Sequence, residues 1–137
     1  MKKLFVLLAI GLSLYAYTAT ETAHQLGYIN SFDQGVTLAK KDHTMVMVVI
    51  VRDDCPWCKK LESETLSNKN VQNATSKFVK VILDVNQNMP KSFKSPIVPI
   101  VYFLDGKTQE TSWETYGYKN VKDFLENIKI AQDDSLL

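Results

Sequence analysis

The chain has 137 residues, which argues for a single domain and against a multi-domain enzyme. With 16 Lys+Arg against 15 Asp+Glu it carries no basic excess, so a nucleic-acid binder is excluded on charge. At 45% hydrophobic residues it reads as globular, and its 2 cysteines are too few for a disulfide-dense scaffold or a four-thiolate zinc site.

The N-terminus reads as a secretory signal. Met1-Lys2-Lys3 is a positive n-region, and Leu4 to Tyr17 is apolar, with no charge before Glu21. Small residues from Ala16 to Ala19 offer a cleavage zone, in which Ala16-Tyr17-Thr18 fits the small-x-small pattern best. Residues 1–19 are therefore expected to be a signal peptide and 20–137 the mature domain. An uncleaved membrane anchor is the alternative, because the uncharged run from Leu4 to Thr20 is at the short end of spanning length. Export implies an oxidising compartment such as a bacterial periplasm. The remaining ~115–120 residues should bury roughly two-thirds of their unfolded surface, enough for a self-sufficient core.

Along the domain the periodicities alternate. Ser31 to Lys41 predicts a short helix, with Phe32, Val36 and Ala39 on one face and Gly35 weakening it. Met45 to Val51 is an unbroken apolar run, the pattern of a strand covered on both faces. Pro56 to about Ser67 predicts a helix with Pro in its first turn, where the missing N–H is harmless. Val71 to Ser76 is a weaker helical stretch, and Phe78 to Val85 and Ile97 to Leu104 are two further buried strands, the latter interrupted by Pro99. Asp105-Gly106 predicts a hairpin turn into a strand near Thr108 to Tyr116. Asn120 caps a last helix that places Val121, Phe124, Leu125 and Ile128 on one side. This order predicts a small α/β fold, a central mixed sheet flanked by helices.

Cys55-Pro56-Trp57-Cys58 stands directly after a buried strand and opens a helix, the context in which two cysteines at this spacing form a redox motif. Unpaired N–H groups and the positive dipole end favour a thiolate at Cys55. The thiolate is the attacking species in disulfide exchange. Cys55 is thus the expected nucleophile and Cys58, one turn on, the shielded resolving thiol. Asp53 and Asp54 oppose the thiolate while Arg52, Lys59 and Lys60 favour it, so the sequence leaves the direction of electron flow open.

The strand, Cys-Pro-Trp-Cys, helix, strand and proline before an apolar strand resemble the thioredoxin superfamily from about Ser31 to Ile128. The run Cys-Pro-Trp-Cys-Lys-Lys-Leu-Glu-Ser-Glu-Thr-Leu-Ser-Asn, followed by Phe-Val-Lys-Val-Ile-Leu-Asp-Val, looks especially like exported thioredoxin-related proteins. The resemblance implies a cis-proline facing the cysteines, at Pro99 with Pro96 as the competitor. It also implies substrate pairing with the backbone of Val98, in the manner of strand addition, and a groove glycine at Gly117. Pro56, between the cysteines, is a candidate for redox tuning, and Trp57 for a flat apolar substrate surface or for ordinary packing. Thioredoxins proper carry a buried carboxylate six residues before the first cysteine. Here that position is Val49, and Lys80, where the carboxylate's usual lysine partner falls, is left to reach solvent.

The remaining polar residues read more plainly. A Lys60–Glu64 pair at i, i+4 is expected as surface helix support. His24 and His43 fall outside any metal-ligand spacing, and a haem attachment would need His where Lys59 stands, so no metal and no cofactor is expected. An inert bridge between Cys55 and Cys58 is disfavoured because so short a loop stabilises little. Asn73-Ala74-Thr75 matches a glycosylation acceptor only at the level of a three-residue pattern. Met45 and Met47 are expected in the core and Met89 in a loop. The sequence thus points to an exported, monomeric thiol-disulfide oxidoreductase. The resemblance implies that it acts on protein or peptide disulfides in a reductase or isomerase-supporting role, fed by a membrane thiol carrier. A disulfide donor and a redox-inactive peptide-binding module are the alternatives.

Overall fold

The computed structural model describes residues 17–133, so most of the expected leader lies outside the described residues. Among the described residues helix α1 (Ala19–Leu26) comes first, then α2 (Phe32–Asp42) and strand β1 (Val46–Val51). Helix α3 (Pro56–Lys60) runs on into a π-helical segment (Leu61–Leu66) and is followed by α4 (Lys69–Ala74) and β2 (Val79–Asp84). Strands β3 (Ile100–Leu104) and β4 (Thr111–Tyr116) and helix α5 (Val121–Ala131) complete the chain. The sheet order is β2-β1-β3-β4, with β1 parallel to β2 and the other two pairings antiparallel. The mixed sheet between helices expected from the sequence is therefore present.

Strand β1 is buried along its whole length because both faces are covered. Val46, Val48 and Ile50 point to the side closed by Phe32, Val36 and Ala39 of α2. Met47, Val49 and Val51 point to the other side, closed by α1, α3 with its π segment, and α5 through Ala23, Leu61, Phe124 and Ile128. Each large side chain hidden this way contributes roughly 1.5–3 kcal/mol. Period-two alternation of the two sets, both apolar, is what makes the strand read as one continuous hydrophobic run. Helix starts follow the sequence signals: Ser31 and Asn120 each accept an N–H from the third residue on, Gln34 and Asp123 respectively.

The structure adds to or departs from the sequence expectations at three places. Helix α1 was not anticipated. Thr18 caps it in a reciprocal capping box with Glu21, so residues within the expected cleavage zone form part of the folded unit. Ile29, just beyond α1, makes a single parallel bridge to Val81 at the outer edge of β2. The third strand starts at Ile100 and not Ile97, because the chain enters it only after Pro99. The hairpin at Asp105-Gly106 is present, with β3 and β4 antiparallel, but β4 starts at Thr111 and not near Thr108. The β3–β4 connection is longer, with the Asp105 carboxylate accepting the N–H groups of Lys107 (2.8 Å) and Thr108 (2.7 Å). Gly106 also serves close packing, since a Cβ there would collide with the backbone of Thr44.

Candidate active site

The cysteine pair sits where β1 ends and α3 begins. Cys55 has extended backbone angles and acts as the N-cap, its sulfur accepting the N–H of Cys58 at 3.1 Å. Pro56 takes the first helical position, as expected for a residue without an N–H. Cys55 and Cys58 form a disulfide with a Cα–Cα distance of 5.2 Å. The two sulfurs differ in access: Cys55 is half-buried, whereas Cys58 is 0% exposed and packs in the core with Val49 and Leu61. That asymmetry fits an attacking thiol at Cys55 and a shielded one at Cys58.

Opposite the pair stands the turn into β3. The Val98–Pro99 bond is cis, which settles the choice between Pro99 and Pro96. The Val98 carbonyl oxygen lies 3.9 Å from Cys55 Sγ. Pro99 is buried, and its carbonyl accepts the N–H of Gly117 at 2.8 Å. Gly117 has φ +73°, a conformation glycine adopts without strain, and it brings the chain after β4 alongside Val98. Trp57, Val98, Gly117 and Tyr118 line an open groove of about 390 Å³ next to the disulfide. A larger cleft, about 690 Å³, lies at the opposite end of the sheet around His43, Thr44 and Lys80, and neither cysteine lines it.

Trp57 is 57% exposed, at the open end of its helix. Its ring faces Tyr118 at 5.9 Å between centroids, and the Lys60 ammonium stands over both rings at 5.4 and 4.8 Å. The expected Lys60–Glu64 pair is therefore replaced. Lys60 takes the aromatic faces, and Glu64 accepts the Tyr118 hydroxyl at 2.9 Å, which holds that hydroxyl's pKa above its ordinary value. Sequence reasoning did not identify Tyr118, whose only signal was its place directly after Gly117.

The charges around the pair are sorted by the fold. Asp53 accepts the Ala19 N–H of α1 at 3.3 Å. Lys59 donates to the Tyr17 carbonyl and approaches Glu62 Oε2 at 3.6 Å. Lys80 does not simply reach solvent: it is half-buried over the Tyr28 ring at 5.3 Å, and burial lowers its pKa. Val49 is fully buried in the same cluster as Cys58, so the position six residues before Cys55 indeed supplies no carboxylate. Glu62 does lie buried nearby, 6% exposed, and the sequence analysis passed over it. Burial raises its pKa, against the opposing effects of Lys59 and a 3.1 Å hydrogen bond from the Thr22 hydroxyl. Among the described residues no group of three or more His, Cys, Asp and Glu side chains comes together as a metal site.

Comparison with known proteins agrees with this architecture. A family model described as Thioredoxin-like matches residues 28–106. A thioredoxin from Thermus thermophilus is similar in structure, with TM-score 0.66 and 22% identity over 73% of this chain and 82% of that one. The oxidised C-terminal domain of DsbD from Neisseria meningitidis gives TM-score 0.58 and 20% identity over 72% of this chain and 94% of that one. A structure described as DsbH Oxidoreductase gives TM-score 0.58 and 17% identity, covering 76% and 85% of the two chains. No curated protein sequence matches the chain. With the matched segment spanning β1, the cysteine pair, β2 and β3, the chain belongs to the Thioredoxin-like family.

Proposed function

We propose that this chain is an exported thiol-disulfide oxidoreductase that reduces disulfides of protein substrates through Cys55 and Cys58. The observation that carries the reading is the Cys55–Cys58 disulfide at a helix N-terminus, facing the Val98–Pro99 turn, with only Cys55 open to a partner. In the reduced protein, the Cys55 thiolate attacks a substrate disulfide and expels one substrate sulfur as a thiolate. Cys58 then displaces the second substrate sulfur from Cys55, closing the enzyme disulfide while the substrate leaves with both its sulfurs reduced. The substrate segment pairs with the Val98 backbone and rests an apolar side chain on Trp57 and Tyr118. Pro56 tunes the pair by holding Cys55 at the helix start.

Export is supported by the Met1-Lys2-Lys3 and Leu4–Tyr17 leader. In an oxidising compartment a reductase needs a supply of electrons, for which a membrane thiol carrier is the proposed source. The names of the structural neighbours, thioredoxin, DsbD and DsbH Oxidoreductase, accord with dithiol chemistry. The experiment is trapping with Cys58→Ala, which leaves Cys55 to form mixed disulfides that cannot be resolved. Recovery of Cys55-linked substrate proteins supports the reading. Peptide binding without any Cys55-linked product transfers it to a redox-inactive binding module.

A further inference from the structure

We infer that the cleft at the far end of β2 from the cysteines binds an organic anion with an apolar body, a carboxylate on a hydrocarbon chain, with its head at Lys80. Neither cysteine lines this cleft, so the inference does not rest on the oxidoreductase reading. Lys80 lies on an outermost strand of the sheet and is half-buried. Among the described residues no acidic group pairs with it, and burial alone lowers its pKa. Its ammonium stands over the Tyr28 ring at 5.3 Å, which offsets part of the cost of lost hydration. An anion entering the cleft supplies the missing counter-charge.

The backbone adds a second donor. Among the described residues a single backbone bridge, at Ile29, pairs the outer edge of β2. Ile29 donates its N–H to the Lys80 carbonyl (2.8 Å) and accepts the Ile82 N–H (3.0 Å), whereas Val79 gives its N–H to the Met45 carbonyl on the β1 side (2.9 Å). Even-numbered residues of β2 therefore turn their backbone groups outward, and the Lys80 N–H points past the edge of the sheet. Continued pairing would bring Gly27 opposite it, but Gly27 caps α1 at φ +70° and the chain turns away. Among the described residues no backbone oxygen accepts the Lys80 N–H. The main-chain N–H and the ammonium of one residue thus serve one cleft, and hydrogen bonds from such donors to an oxyanion are the strong, charge-assisted kind.

The remaining walls suit an apolar body. The cleft holds about 690 Å³, and Ile29, Leu38 and Phe78 present hydrocarbon to it. Leu38 of α2 is 39% exposed, so a bound chain covers apolar surface that otherwise meets water. At Gly27 a Cβ would meet no atom within 4 Å, which leaves the mouth open. Lys77 adds a second positive charge to the wall against the one carboxylate of Asp42, a balance that favours an anion over a cation.

The test titrates the full chain with decanoate and, in parallel, with decyltrimethylammonium, which has the same tail and the opposite head charge. Backbone amide shifts report the site. Decanoate should give saturable shifts at Gly27, Leu38 and Lys80, and decyltrimethylammonium none there at equal concentration. Lys80→Met keeps an apolar stem and removes the charge. It should weaken decanoate binding by at least about tenfold, the lower end for a hydrogen bond to a charged group. A readout on the wild type stands apart from any folding defect of the variant. A bound carboxylate favours the charged amine, so the Lys80 side-chain signal should titrate at higher pH with decanoate than without it. Equal binding of the two amphiphiles, shifts confined to the groove at Trp57 and Gly117, undiminished affinity in a folded Lys80→Met, or an unmoved Lys80 titration each overturns the inference.

Discussion

The contact between Thr22 and Glu62 joins α1 to the redox helix, and Thr22→Val tests how much it matters. Valine has nearly the shape of threonine, so the substitution opens no cavity and removes only the donor. Both partners are buried, and the bond is 3.1 Å. A hydrogen bond to a charged group is worth about 1.5–3 kcal/mol, whereas one between neutral groups is worth about 1 kcal/mol. The loss in Thr22→Val should therefore reach about 1.5–3 kcal/mol where Glu62 is ionised and fall to about 1 kcal/mol where it is protonated. The sign follows from linkage. Burial raises the folded-state pKa of Glu62, so the stability from its neutral form is fully present below the unfolded-state pKa and lost as pH rises through the folded value. The Thr22 bond opposes that rise by favouring the charged form, so removing it steepens the loss at higher pH. Urea unfolding of both proteins near pH 8 and near pH 4 measures this directly. A difference under about 0.5 kcal/mol near pH 8, the range of ordinary surface substitutions, would refute the reasoning. So would a difference that is the same at both pH values.

Other perturbations give separate expectations. Thr18→Ala removes the capping box of α1 and should lower stability by about 1 kcal/mol in chemical unfolding. Gly106→Ala forces a Cβ into the Thr44 backbone and should cost about 1–3 kcal/mol by the same assay, while leaving the chemistry at Cys55 intact. Trp57→Ala should change stability by less than about 1.5 kcal/mol, the upper range of an aromatic pair. It should slow reduction of insulin, a protein disulfide, by about 5–30-fold, equivalent to one or two kcal/mol of lost substrate contact. Little change with dithiobis-nitrobenzoate, a small aromatic disulfide, would confirm that the loss is one of substrate docking.

The elements most legible in the sequence were those in which local pattern and tertiary burial agree. The apolar run Met45 to Val51 could only be a strand covered on both sides, and Cys55-Pro56 at its exit carried a helix start in its residue types. The cis-proline at Pro99 is what the resemblance implies, and the Val98–Pro99 bond is cis beside Cys55. What was missed depends on partners distant in sequence. Helix α1 has a sequence signal in Thr18 and Glu21, but that signal lies inside the small-residue zone that also reads as a cleavage site. Lys60 and Glu64 have the spacing of a surface pair, yet Tyr118, 54 positions beyond Glu64, draws both away. Asp105-Gly106 has a hairpin's residue types, and its glycine is also required by Thr44, which stands opposite it at the end of the β1–β3 pairing. Glu62 looked like one more charge on a helix because nothing local shows that α1 covers it.

The central claim is that Cys55 and Cys58 exchange electrons with disulfides, and equilibration of the protein against glutathione buffers tests it most directly. The account predicts a reversible two-electron couple at about −270 mV, the range of a reductant that must be recharged in an oxidising compartment. A couple near about −120 mV would contradict the proposed direction and make the protein a disulfide donor. A disulfide that does not equilibrate at all would contradict the claim itself.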